Sequence, residues 1–156
     1  MTNFSGALAG TLGAASSHVL LLKSLVAWLF ILCLAVANGV LREAVLVPAF
    51  GTRGGLILSG VLLSLLVALV AYALVRFKQG ITARQGVFIG VLWLCLTLAF
   101  EFGFGRYAQH KSWVELLDAY TFKDGNAWPV VLLVTLLAPC LAALFHAKSR
   151  HASSGA

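Results

Sequence analysis

Apolar residues fall into four long runs separated by short polar breaks. The first, Ser24 to Leu41, carries no charge and lies between Lys23 and Arg42. The second, Gly54 to Val75, lies between Arg53 and Arg76. The third, Gln85 to Gly105, holds a single charge, Glu101, and the fourth runs from Gly125 to Ala147. Crossing roughly 30 Å of hydrocarbon takes about 20 mostly apolar helical residues. All four runs qualify, the first and third narrowly. The pattern predicts helical spans over 20–41, 55–76, 86–105 and 127–147. Residues 18–147 would form one transmembrane domain, with a loose tail at 1–17 and a short tail at 148–156. The opening stretch is small and polar, without the basic start and compact apolar core of a signal peptide.

The breaks are patterned too. "REAVLVPAFGTRGG" contains Pro48 and glycines at 51, 54 and 55, which predict an irregular turn. "SWVELLDAY" carries a capping box, Ser112 with Glu115 three residues on. Trp113, Leu116, Leu117 and Tyr120 would share one face of a short helix over 112–120, with Glu115 and Asp118 opposite. Such a helix suits the membrane interface, its aromatics at headgroup depth. The expected fold is therefore all-α: a polytopic membrane protein of four transmembrane helices with one amphipathic interfacial helix.

Composition removes the competing class. Of 156 residues, 61% are hydrophobic and 10% charged, against about 25% charged in a soluble domain. Mean hydropathy is +0.98. A soluble bundle of this composition would have almost no polar surface to offer water.

Charge sets the orientation. Four spans put both termini on one side, with Lys23, Arg76, Lys78, Arg84, Lys148 and Arg150 and no acid. The opposite side carries Arg42, Arg53, Arg106, Lys111 and Lys123 with every acid of the chain: Glu43, Glu101, Glu115, Asp118 and Asp124. Counting Lys and Arg favours both termini in the cytoplasm of a bacterial inner membrane. The pI of about 9.7 then speaks for contact with anionic membrane lipid, not with nucleic acid.

Membrane helices pack through small residues and polar contacts, because lipid is as apolar as leucine. Each run has a small stripe: Ala35 and Gly39; Gly60, Ser64 and Ala68; Gly86 and Gly90; Thr135, Ala138 and Ala142. On the third helix Gly90, Thr97, Glu101 and Gly105 fall on one side, which turns Glu101 into the bundle. Pro139 in the fourth run predicts a kink.

Glu101 is the sharpest chemical signal. It lies roughly 22 Å along the crossing from Gly86, near the outer boundary. A carboxylate there needs a partner, water or a proton. Arg42 and Arg106 are the cations at that depth, and Asn38 is the nearest amide, one turn from Arg42. Two readings stand open: an ion pair that locks the first and third helices in register, or a carboxylate that binds a proton or ligand. Glu43 completes the polar cluster, pointing away from Arg42 and solvated or paired with Arg53 or Arg106.

No pair among His18, His110, His146 and His151 has ligand spacing within a span. No metal site or cofactor is expected. Cys33, Cys95 and Cys140 fall inside the spans and form no CxxC, so they read as small apolar residues. No catalytic motif is present. The segments "NGVLREAVLVPAFG", "WLCLTLAFEFGFGRY" and "SWVELLDAYTFKDGNAWPVVLL" resemble a group of small four-span bacterial membrane proteins with no activity attached. That resemblance implies architecture alone.

The expected function is a non-enzymatic membrane component, either a subunit or a small binding protein, with self-association or a partner membrane protein. A small-solute transporter or channel, acting as an oligomer with Glu101 as coupling carboxylate, is the first alternative. A membrane enzyme acting on lipid is the second.

Overall fold

The structure, a computed structural model, describes the backbone of residues 3–78, 80–118, 120–122 and 125–153, and side chains between 17 and 149 within those ranges. Every regular element among them is helical. Helix α1 spans Asn3–Leu41 and passes into a five-residue π-helical turn, Arg42–Leu46. Helix α2 spans Val47–Phe77, α3 Ala83–Gly103, α4 Trp113–Asp118 and α5 Trp128–Ser153. A second π-helical turn, Phe104–Ala108, extends α3. Three helical runs are long and apolar enough to cross a membrane: Ser17–Phe77, Ala83–Ala108 and Trp128–Ser149.

The first of those runs is folded back on itself. The Asn38 Nδ2 donates to the Ser59 carbonyl at 3.2 Å and to the Ser59 Oγ at 2.8 Å. A straight helix would hold these residues about 31 Å apart, so the chain reverses between them. The reversal uses less irregular backbone than the breakers in "REAVLVPAFGTRGG" imply. Pro48 stands in the first turn of α2, where no amide hydrogen is needed. Only Gly51 leaves helical geometry, at φ +72° and ψ 169°, a conformation that suits glycine. The missing side chain of Gly55 lets the part of α2 after Gly51 lie directly on Leu46 and Val47.

Residue pairings fix the helix directions. Trp93 Nε1 donates to the Ser24 carbonyl at 2.9 Å, and Trp28 Nε1 donates to Thr97 Oγ1 at 3.2 Å. Both contacts join residues 69 positions apart, so α1 and α3 run parallel. Gly86 faces Cys140 and Gly90 faces Leu136, so α3 and α5 run antiparallel. The glycine pair has its expected use: a Cβ on Gly86 would stand 2.7 Å from the Cys140 Cα, and one on Gly90 would collide with the Leu136 carbonyl. Helix α5 continues through Pro139, whose carbonyl faces Gly86. The stretch expected as a loose tail enters α1 from Asn3 onward. Its alanines at 7, 9, 14 and 15 favour helix.

Apolar side chains lie on the surface as well as in the interior. Ser24, Asn38, Ser59 and Thr135 are buried, as are Trp93, Ile89, Val67 and Ala71. Leu22, Val40, Leu69 and Phe145 are each more than 60% exposed. Apolar surface on this scale belongs against lipid.

Candidate functional site

The site is built where the chain leaves α3. His110 takes a positive φ of 53° and turns the chain back. The Lys111 amide then donates to the Gly105 carbonyl at 3.0 Å. Ser112 and Glu115 form the expected capping box: the Ser112 amide donates to Glu115 Oε2 at 2.7 Å, and the Glu115 amide donates to Ser112 Oγ at 3.3 Å. This starts α4 and seats Leu116 on Gly105, where any Cβ would strike it. The loop thereby carries Tyr120 and Trp128 to the end of α3.

Both residues reach Glu101. The Tyr120 hydroxyl donates to Glu101 Oε2 at 2.7 Å, and Trp128 Nε1 donates to the same oxygen at 2.9 Å. Among the described residues no donor is placed on Oε1. Phe102 stacks on Tyr120 with ring centroids 5.7 Å apart and tilts against Trp113 at 6.2 Å. Phe100 stacks on Phe104 at 5.4 Å. Phe100, Phe102, Phe104 and Tyr120, with Glu101, Glu115 and Lys111, line a cavity of about 190 Å³.

The expected Glu101–arginine pair is not formed. Arg42 Nε donates to Glu43 Oε1 at 2.9 Å, the one ion pair among the described residues. That also corrects the expectation that these neighbours point apart: both lie in the π-helical turn, and their side chains close on each other over exposed surface. Arg106 Nη1 donates to the Lys111 carbonyl at 3.2 Å, bracing the loop. Asn38 turns to Ser59, and its Oδ1 is buried without a partner.

The five residues expected as one cluster thus divide. Asn38 and Arg42 line a separate cavity of about 60 Å³, whose wall includes Trp128. Trp128 therefore touches the Asn38 cavity while its indole nitrogen bonds Glu101. Ser59 and Trp128 are the residues that sequence reasoning missed. Tyr120 was expected at the interface, without its contact to Glu101.

Outside the spans, two groups are shifted. Burial, and then the hydrogen bond to Glu101, push the Tyr120 phenol well above the usual tyrosine range. The Ser112 amide and hydroxyl hold the exposed Glu115 carboxyl below the usual carboxylate range. Among the described residues no group of three His, Cys, Asp or Glu side chains could hold a metal ion.

No protein-family model, curated protein or solved structure matches the chain. Its own residues carry the functional reading.

Proposed function

We propose that the protein is a non-enzymatic component of a bacterial inner membrane that crosses it four times and binds a small ligand at Glu101. The exposed apolar surface of the long helices supports the membrane setting. The alternating directions of α1, α2, α3 and α5 support four crossings, with the first long apolar run divided at Gly51. The excess of basic residues at one end, and the acids gathered at the other, support cytoplasmic termini and a Glu101 cavity that opens outward. Trp113, Val114 and Leu117 are exposed on α4 beside Glu115, a surface suited to the outer interface.

One observation carries the binding reading. Glu101 is held by two neutral donors on one oxygen, and its other oxygen is open beside a cavity. A carboxylate kept only to lock two helices would engage a cation, and both candidate arginines are turned elsewhere. Labelling with a hydrophobic carbodiimide tests the reading, because the reagent adds covalently to carboxyl groups it can reach. Peptide mass spectrometry should find the adduct on Glu101. Glu101 left unmodified while other carboxyls react would contradict an accessible site.

A further inference from the structure

Three observations bear on what the Glu101 cavity takes, on the reading that it is a ligand site. First, its charged lining is two carboxylates, Glu101 and Glu115, against one ammonium, Lys111. The balance is negative by one charge, and no ion pair ties Lys111 to either acid among the described residues. Second, the remaining wall is rich in aromatic rings: Phe100, Phe102, Phe104 and Tyr120. Ring faces carry negative potential and attract cations within about 6 Å of the centroid. Third, the volume of about 190 Å³ lies below the roughly 300–1,000 Å³ of sites for drug-sized ligands. It exceeds several times the roughly 30 Å³ that a liquid water occupies.

We propose that this cavity binds an organic ammonium group, its positive end against the open oxygen of Glu101 and its alkyl surface against the rings of Phe102 and Tyr120. A neutral polar solute would gain nothing from the ring faces. An anion would meet two carboxylates against the single ammonium of Lys111. A bare metal ion would meet two carboxylates, an ammonium and aromatic rings in place of a full oxygen shell. An alkylammonium satisfies both the charge and the walls. The same chemistry arrives on a soluble amine or on the ethanolamine headgroup of a lipid, and the location at the end of the apolar helices admits either.

The test uses the full chain purified in detergent and titrated with choline, with tetramethylammonium and with 3,3-dimethylbutan-1-ol, the neutral isostere of choline. Binding is read by calorimetry at constant ionic strength. Both cations should bind saturably, and the neutral isostere about tenfold or more weakly. Glu101→Gln should lose about tenfold in cation affinity while still accepting from Tyr120 and Trp128. Phe102→Leu should lose about threefold to tenfold, and Lys111→Gln should gain affinity by removing a like charge. Repeating the titration in phosphatidylglycerol vesicles, with and without phosphatidylethanolamine, separates the sources. Competition by the ethanolamine lipid identifies the headgroup, and unchanged affinity identifies a soluble amine. Equal binding of the neutral isostere would overturn the proposal. Absence of saturable cation binding, or cation binding indifferent to both Glu101→Gln and Phe102→Leu, would overturn it too. Carbodiimide reaction at Glu101 does not depend on ligand class, so it shows separately whether the site itself survives such a failure.

Discussion

Glu101 decides between two physical arrangements, and their energies differ enough to tell them apart. Removing one partner of a buried ion pair costs about 3–5 kcal/mol, because the other charge is left stranded. Here the partners are a phenol and an indole. Glu101→Gln keeps an acceptor for both and should cost under about 1 kcal/mol. Glu101→Leu orphans both donors and should cost about 1–3 kcal/mol. Arg42→Gln and Arg106→Gln should each cost at most about 1 kcal/mol, since their contacts are exposed. Thermal denaturation in detergent checks the series. A large loss in Glu101→Gln, recovered by pairing it with either arginine change, would restore the ion-pair reading. The carboxylate was legible as an anomaly because a lone charge interrupts an apolar run. Its donors were not, since Tyr120 and Trp128 are ordinary aromatics whose approach depends on the chain turning at His110.

At the scale of the element, α4 is a local device whose pH response follows from its cap. The folded Glu115 carboxyl titrates below its unfolded value. Its contribution is therefore fully present above the ordinary carboxylate range and is lost as pH falls through the folded value. Tyr120 behaves in the opposite sense. Its raised phenol favours the fold below the ordinary tyrosine value near 10, and that contribution disappears as pH rises through the folded value. Protection of the Leu116 and Leu117 amides against exchange, taken relative to the intrinsic rate at each pH, should thus fall at the acid end in the native chain. In Ser112→Ala it should already be low at neutral pH. Helix packing gives a second expectation. Gly90→Ala places a methyl group against the Leu136 carbonyl and should cost about 1–3 kcal/mol, read as lower melting temperature and membrane abundance. The small-residue stripe was readable from spacing alone. The turn between α1 and α2 was not, because Pro48 and the glycines look like helix breakers in sequence. A proline in a first helical turn breaks nothing, and the reversal needs one positive φ.

Across the described residues large apolar side chains cover the surface of the long helices while Ser24, Asn38, Ser59 and Thr135 lie buried between them, an arrangement the composition foretells. Sequence length and apolarity located the long helices. Contacts across α1, α2, α3 and α5 then supplied their directions, which no periodicity contains. The polar cluster read from the sequence is divided in the structure. Glu101 faces a cavity rich in aromatic rings, whereas Asn38 and Arg42 lie in a smaller one, whose wall includes Trp128, the residue that bonds Glu101. We propose that the Glu101 cavity opens on the outer face of the membrane. Gln109 lines that cavity and is exposed, so Gln109→Cys, with Cys33, Cys95 and Cys140 replaced by serine, gives a direct reporter. Intact cells would be treated with a membrane-impermeant maleimide before any permeabilisation. Rapid labelling from outside is expected. Labelling that begins only when the cytoplasmic face is opened would contradict it.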